Sequence, residues 1–182
     1  MIKEEHTLAN FNPICYQNGR AMLLGGIRQT HSFAEVDTGI PEQWRQFRAL
    51  GRIPGQLGAT SYGVICGANA IGIEYICAVE VESFDGLSPA WGRMRISPQR
   101  YAVFMHQGHV SSLRCSWERI WNDWLPNTRC KIIHAPDFER YAEPFDPSTG
   151  LGAVEIWIPI AEPNRRTTDL TTTTTSSQWP IL

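Results

Sequence analysis

The pattern that decides the fold is the stretch Gly152-Ala153-Val154-Glu155-Ile156-Trp157-Ile158-Pro159-Ile160. Its β-branched residues and the glycine at its start are typical of a β-strand. Because side chains alternate along a strand, Glu155 and Trp157 share one face, and the valine and isoleucines share the other. The Glu155 face either meets water, pairs with an internal arginine, or lines a cavity where the carboxylate would bind a cation. The strand alone leaves these alternatives open.

The overall composition argues against several classes of function. The 182 residues carry a net charge of −2 without a run of lysines or arginines, which disfavours nucleic-acid binding. Five cysteines at wide spacings, without a C-x-x-C pair, indicate reduced thiols rather than a disulfide framework. The N-terminus lacks the apolar core of a signal peptide, and no stretch has the roughly 20 apolar residues that span a membrane. We therefore expect a cytoplasmic protein that binds neither nucleic acid nor membranes.

The short motifs that bind cofactors or metals are missing from the sequence. The glycine-rich segment 51–58 lacks the Gly-Lys-Ser/Thr ending of a phosphate loop. His106 and His109 are close in sequence, but no spacing points to a third metal ligand. Neither a G-x-S-x-G turn nor an H-E-x-x-H helix is present. We predict no cofactor and no metal site.

The order strand, helix, strand, strand occurs twice, with an offset of roughly eighty residues. Each copy has one amphipathic helix whose apolar positions recur with the helical period: Ile40, Trp44, Phe47 and Leu50 in the first copy, and Leu113, Trp117, Ile120, Trp121 and Trp124 in the second. The predicted strands are 20–33, 60–66 and 73–81, then 101–106, a segment around 131–133, and 153–160. Residues 83–99 read as a loop around Trp91, and 137–147 as a polar and aromatic connection. Two such units predict an α+β domain in which two helices pack on antiparallel sheet around a central ligand cleft.

This organisation divides the chain into three parts. We predict an N-terminal arm over 1–19, a domain over 20–162 with halves of about 20–82 and 100–160, and a threonine-rich tail over 163–182. The tail is low in complexity and has no apolar period that a core could use, so we expect it to be disordered or ordered only by contacts. Trp179 is the tail residue that could dock in a groove.

Tyr141 and Trp91 are candidate ligand contacts. Both lie in segments rich in proline or glycine, which cannot all be core. Aromatic rings on such segments, above a strand that carries Glu155, are what a cage for an organic cation requires. The tryptophans at 117, 121 and 124 have helical spacing, so we expect them to pack in the core.

Four motifs, in this order, carry a resemblance to a known family: Tyr101-Ala102-Val103-Phe104-Met105-His106-Gln107-Gly108, Trp121-Asn122-Asp123-Trp124-Leu125-Pro126, Phe138-Glu139-Arg140-Tyr141, and the strand 154–160. Together they resemble the GyrI-like superfamily, the effector-binding domain found C-terminal in AraC-type and MerR-type regulators. The resemblance covers roughly residues 20–160. It implies a duplicated strand–helix–strand–strand unit whose cleft, at the pseudo-two-fold axis, binds hydrophobic and often cationic molecules.

The resemblance also implies site residues. The family's pocket glutamate falls on Glu155, and the ligand-facing position two residues further falls on Trp157. The family's Phe-Glu-x-Tyr segment falls on 138–141, which implies a role for Tyr141. The remaining expected ligand contacts rest on position in the pattern: Tyr75, Trp91 and Phe104.

Three functions are compatible with these residues. The first is a binding module for lipophilic, cationic small molecules, which sequesters them or senses them for a partner. The second is a hydrolase of strained electrophiles, with Glu155 as base beside Tyr141. The third is a module that resembles inhibitors of DNA gyrase. Only about 20 residues precede the first strand, too few for a DNA-binding domain, so the chain resembles stand-alone members whose protein partner, a transcription regulator or gyrase, the sequence does not identify.

Overall fold

The computed structural model describes residues 11–161. The strands are β1 (Cys15–Gly19), β2 (Met22–Ser32), β3 (Gln56–Ala68), β4 (Gly72–Val81), β5 (Gly92–Ile96), β6 (Gln99–His109), β7 (Asp137–Tyr141) and β8 (Leu151–Ile160). Helix α1 is Val36–Ala49. Helix α2 follows a 3-10 turn at Val110–Ser112 and has three consecutive parts, an α-helical Leu113–Arg119, a π-helical Ile120–Trp124 and a last turn Leu125–Asn127. The first ten residues of the predicted arm, and the tail with Trp179, lie outside the described residues.

The eight strands form one antiparallel sheet in the order β1-β6-β8-β7-β3-β4-β2-β5. The predicted repeat is present as β2-α1-β3-β4 and β6-α2-β7-β8. In both copies the last strand lies between the other two. The copies join where β3 pairs with β7, and Gly63 lies opposite Glu139 in that register. The centre of the molecule is therefore the β3–β7 junction.

The sheet is curled, because two short connections join its opposite edges. β1 and β5 form the edges, yet only Arg20 and Ala21 link β1 to β2, the neighbour of β5. Two residues likewise link β5 to β6, the neighbour of β1. Such a link spans about 11 Å at most, so the edges must approach one another. The sheet thereby gains an inner face, which packs on itself, and an outer face.

The two helices cover the outer face. Leu113, Ile120 and Trp124 of α2 pack with the outward residues of β6 and β8, and Phe47 of α1 packs with those of β4. Strand residues alone form the inner cluster: Leu24, Tyr62, Val64, Ile76, Ala78, Ile96, Tyr101, Val103, Phe138 and Trp157. The alternation predicted for β8 is confirmed, since its valine and three isoleucines lie on the outer face and Trp157 on the inner one.

Two strand predictions were wrong. The second strand of the second repeat is β7 at Asp137–Tyr141, whereas Ile132 makes only an isolated bridge to Ile160. The pair of isoleucines gives a stronger strand signal than the sequence of β7, whose polar residues find partners only in the folded protein. The predicted loop over 83–99 also contains the edge strand β5. In the first repeat, α1 begins at Val36, and Pro41 lies inside the helix.

Candidate ligand-binding site

A buried carboxyl lies on the outer face of the sheet, at the junction of the two repeats. Glu139 is 6% exposed and accepts hydrogen bonds from the hydroxyls of Tyr75, at 2.5 Å, and Tyr141, at 2.7 Å. The indole Nε1 of Trp117 donates a third, at 2.8 Å. Trp44 donates from its own Nε1 to the Tyr75 hydroxyl, at 3.2 Å. We call these five residues the Glu139 cage.

Local sequence explains why the cage forms. Alternation along β7 sends Phe138 to the inner face, whereas Glu139 and Tyr141, two residues apart, share the outer face. Tyr75 lies on β4, one strand beyond β3, and reaches the carboxylate across Gly63. A side chain at position 63 would overlap the Tyr75 hydroxyl and the Glu139 carboxylate. Glycine on the middle strand is what permits the contact.

Both helices contribute to the cage and are anchored beside it. The ring of Trp44 on α1 meets that of Tyr141 edge to face at 4.9 Å. Gln43 holds one turn of α1 to the sheet. Its amide nitrogen donates to the carbonyls of Ile27 and Tyr75, and its amide oxygen accepts from the buried His31. On α2, Trp117 stacks against the more exposed Trp121, with ring centroids 6.5 Å apart.

An ion pair, in which Nη1 of Arg114 on α2 donates to both carboxylate oxygens of Asp37 on α1, joins the two helices at the surface. Both of its side chains are exposed, so the pair is worth only a small stabilisation. This ion pair therefore contributes little to holding the helices over the cage.

The cage is neutral apart from its carboxyl group. Burial raises the pKa of the Glu139 carboxyl above its ordinary value, while the hydrogen bonds from Tyr75, Tyr141 and Trp117 act in the opposite direction. Burial, followed by the negative charge of Glu139, raises the pKa values of both tyrosines well above their ordinary range, so both remain protonated donors. Burial also raises the pKa of Asp137, at the start of β7, to about 7. Such an environment would stabilise a buried cation.

Glu155, predicted to be the glutamate of the cleft, lies instead on the inner face of the sheet. Arg140 of β7 donates to its carboxylate at 3.1 Å, and the Nε1 of Trp157 donates at 2.8 Å. The side chains of Glu155 and Arg140 are 25% and 34% exposed. A hollow of about 60 Å³ beside this pair is smaller than the cavities of roughly 300 Å³ or more that hold drug-sized ligands. The internal-arginine alternative therefore describes Glu155.

The other predicted contacts separate into two groups. Tyr75 and Tyr141 belong to the Glu139 cage. Trp157 stacks on Phe138 on the inner face, with ring centroids 5.3 Å apart. Phe104 is fully buried under α2 against Trp124, and Trp91 packs at the edge of the cluster around α1. The three hydrogen bonds to Glu139 come from other side chains.

The predicted catalytic pair is separated by the sheet. The Tyr141 hydroxyl is bonded to Glu139 on the outer face, whereas Glu155 lies on the inner face. The structure therefore does not bring these two side chains together around one water. Within residues 11–161 no group of histidine, cysteine or acidic side chains could hold a metal ion. Over the same range no helix is both long enough and apolar enough to cross a membrane.

Three cage residues were missing from the prediction: Glu139, Trp44 and Trp117. A usable signal was present, because Glu139 and Tyr141 stand two residues apart and would share a face of any strand. That signal was lost when 137–147 was read as a connection. The two tryptophans look like ordinary core positions of amphipathic helices, and only the packing of both helices against β7 distinguishes them.

Comparison with known proteins gives one family and several structures. The family described as Cass2, integron-associated effector binding protein, matches residues 21–160. No curated protein was similar enough in sequence to count as a relative. The structure of SAV2435 bound to tetraphenylphosphonium has a TM-score of 0.65 at 20% identity, over 81% of this chain and 93% of that one.

Two further structures share the fold. An integron cassette protein from the mobile metagenome of Vibrio cholerae has a TM-score of 0.61 at 20% identity, over 81% of this chain and 95% of that one. The C-terminal domain of EcmrR has a TM-score of 0.58 at 13% identity, over 81% of this chain and 96% of that one. At these identities the likeness shows the fold: two helices on a curled, antiparallel eight-stranded sheet.

Proposed function

The chain belongs to the Cass2 family of integron-associated effector binding proteins, and we propose that it binds lipophilic organic cations in the Glu139 cage. One observation carries this proposal. A carboxyl that is 6% exposed lies between two helices, and its donors are the neutral side chains of Tyr75, Tyr141 and Trp117. A buried carboxylate without a cationic partner is costly, and a cationic ligand would supply that partner.

The rings around Glu139 suit a cation whose charge is shielded by apolar groups. Trp44, Trp117 and the two tyrosines present aromatic faces, and a desolvated cation–aromatic contact gives about 2 kcal/mol or more. A few such contacts, together with apolar burial, account for micromolar affinity, which corresponds to about −8 kcal/mol. Flat aromatic walls without directional polar groups favour several unrelated compounds over one tight ligand. The tetraphenylphosphonium bound to SAV2435, a protein of the same fold, is a compound of this class.

Glu139 is enclosed by its own donors, so a ligand that reaches the carboxyl group must displace at least one ring. Trp117 is the best candidate, because it is only partly buried and its outer neighbour Trp121 is 38% exposed. The helix that carries both rings changes to π-helical geometry at Ile120–Trp124, and such turns are frequent at functional sites. We propose that the first turns of α2 move outward with Trp117 when a ligand enters.

Titration with tetraphenylphosphonium, followed by tryptophan fluorescence and by calorimetry, tests the proposal. The neutral comparison compound is triphenylphosphine oxide, which keeps the phenyl rings but lacks the net charge. We expect saturable micromolar binding of the cation, weaker binding of the neutral compound, and at least a tenfold loss of cation affinity in Glu139→Gln.

Glu155→Gln is the matched control, since it makes the same chemical change in a glutamate on the neighbouring strand. It should bind the cation as the wild type does. If the cation failed to bind the wild type, or if Glu139→Gln and Glu155→Gln had equal affinity, the role proposed for Glu139 would be wrong.

A further inference from the structure

The hydrogen bonds that Glu139 accepts from the described part of the chain all come from neutral groups. The donors are the two tyrosine hydroxyls and one indole N–H. The contrast with two other glutamates, the buried Glu80 and the half-buried Glu155, is direct. Glu80 is paired with Arg20, and Glu155 with Arg140. When Glu139 is ionised, its negative charge is therefore not compensated by a hydrogen-bonded arginine from the described residues.

The titratable groups around the carboxyl are themselves neutral or acidic. β4 contributes Tyr75 and Cys77, and β7 contributes Asp137 and Tyr141, all of which interact electrostatically with Glu139. The residues of β3 and β8 that pair with Glu139 are Gly63 and Ile156, and neither titrates. The charged groups on the helices lie in exposed or partly exposed ion pairs or act on other groups. On α1, Arg48 acts on the Cys77 thiol, and Asp37 bonds Arg114 of α2, which also pairs with Glu118.

Two charge states of the empty cage are thus possible, and they differ in their response to a cation. In the ionised state the three neutral donors solvate the carboxylate. In the protonated state the cage is neutral, which burial favours. A lipophilic cation that enters the protonated cage would be buried without a counter-ion, which is strongly unfavourable. The cation can enter at low cost only if the proton leaves.

We infer that Glu139 exchanges a proton for the bound cation, so that the carboxyl proton passes to solvent as the ligand enters and the cage stays electrically neutral. This inference rests on the proposed function of the cage. The exchange makes cation affinity depend on pH, whereas a neutral aromatic ligand binds without releasing a proton. The same cage therefore selects cations at higher pH and loses that preference at lower pH.

Calorimetric titration of the wild type with tetraphenylphosphonium tests the exchange. Each titration is performed in two buffers of contrasting ionisation enthalpy, from about pH 5 to about pH 8, so that the difference in heat gives the number of protons released. We expect release to approach one proton per bound cation on the acid side of the Glu139 pKa and to vanish on the alkaline side. On the acid side, the apparent Kd should rise tenfold for each unit by which the pH falls.

Two variants assign the proton. Glu139→Gln should bind the cation weakly, with no pH dependence and no proton release. Asp137→Asn removes the carboxyl group two residues before Glu139, whose pKa burial raises to about 7, and it should keep the wild-type release. Triphenylphosphine oxide should bind without releasing a proton in all three proteins.

The outcomes separate the exchange from the function on which it rests. Cation binding with a constant Kd and no proton release across the whole range would overturn the exchange and leave the binding function intact. Proton release that survives in Glu139→Gln but disappears in Asp137→Asn would also overturn it. Absence of cation binding at every pH would overturn the proposed function itself. The wild-type measurement decides the first and last of these cases even if a variant fails to fold.

Discussion

Glu139 and Glu155 are two glutamates on neighbouring strands that have opposite environments. Each accepts an indole N–H at 2.8 Å, from Trp117 and Trp157 respectively. Glu155 lies on the inner face and is paired with Arg140, at 3.1 Å. Glu139 lies on the outer face, under both helices, and is held by neutral hydroxyls. A tryptophan beside a glutamate therefore does not by itself identify a ligand site. What matters is whether the protein already supplies the cation.

The largest expected effect comes from filling the space through which Tyr75 reaches Glu139. Gly63→Ala places a methyl group against the tyrosine hydroxyl and the carboxylate, and we expect a loss of about 2–3 kcal/mol in the free energy of unfolding, together with the loss of cation binding. Gly67→Ala, on the same strand, meets no atom within 4 Å and should leave both properties unchanged. Urea denaturation and a cation titration measure the two effects. Equal stability of the two variants would contradict the geometry of the cage.

The sequence predicted the repeat and the alternation along β8, but it did not predict which glutamate lies under the helices. The alternation of β8, the twofold repeat and the positions of both amphipathic helices follow from local periodicity, and the structure confirms them. The resemblance to GyrI-like effector-binding domains is confirmed by the family match and by the fold. Alternation shows that Glu155 and Trp157 share a face, but it does not show which face the helices cover. That choice is made by the curl of the whole sheet.

The partner of Glu155 was missed for a related reason. Arg140 lies on β7, the strand that the sequence pattern did not reveal, so neither its pairing with β8 nor the direction of its side chain could be derived. The cage combines residues from α1, β4, α2 and β7, which are far apart in the chain. Contacts of this kind arise only from tertiary packing, because no local period brings Trp44 and Trp117 to the same carboxyl.

Removing the cation of the inner-face pair is expected to have the next largest effect. Arg140→Met leaves Glu155 with only the indole donor, and we expect a loss of about 1–2 kcal/mol in the free energy of unfolding, because the pair is partly exposed. Affinity for tetraphenylphosphonium should change less than twofold, since the cage is on the other face. A large loss of cation affinity without a loss of stability would reverse the roles that we assign to the two glutamates.

A smaller effect is expected from removing one hydroxyl donor of the cage. Tyr141→Phe should lower the free energy of unfolding by about 1 kcal/mol. Because that hydrogen bond favours the charged carboxylate, its loss raises the pKa of Glu139 further, and the cost should be larger above the folded pKa than below it. Tyr101→Phe is the control, because the buried Tyr101 hydroxyl has no hydrogen-bond partner within residues 11–161. It should be neutral or stabilising in the same denaturation series.

The sign of the pH dependence follows from the direction of the shift. A carboxyl whose folded pKa is raised contributes most to stability below its unfolded pKa, and this contribution is lost as the pH rises through the folded pKa. Both Glu139 and Asp137 have raised pKa values. The thermal stability of Glu139→Gln should therefore depend less on pH than that of the wild type, between the unfolded and the folded pKa of Glu139. A steeper dependence in the variant would contradict the direction of the shift.

The smallest expected effect concerns the two indole donors. Trp157→Phe keeps an aromatic ring stacked on Phe138 but removes the indole N–H that donates to Glu155, which retains Arg140. We expect the free energy of unfolding to fall by about 0.5–1 kcal/mol and the cation affinity to stay unchanged. Trp117→Phe makes the same change beside Glu139 and should alter cation affinity measurably. Calorimetry on the pair of variants compares them, and identical behaviour would show that the indoles do not distinguish the two sites.

The most direct test of the central claim is the structure of this protein in complex with tetraphenylphosphonium. We expect the cation on the outer face of the sheet, with its phosphorus within about 6 Å of the rings of the Glu139 cage and with Trp117 displaced from its present position. The Arg140–Glu155 pair should be unchanged. A cation bound beside Glu155 on the inner face, with the Glu139 hydrogen bonds intact, would contradict the assignment.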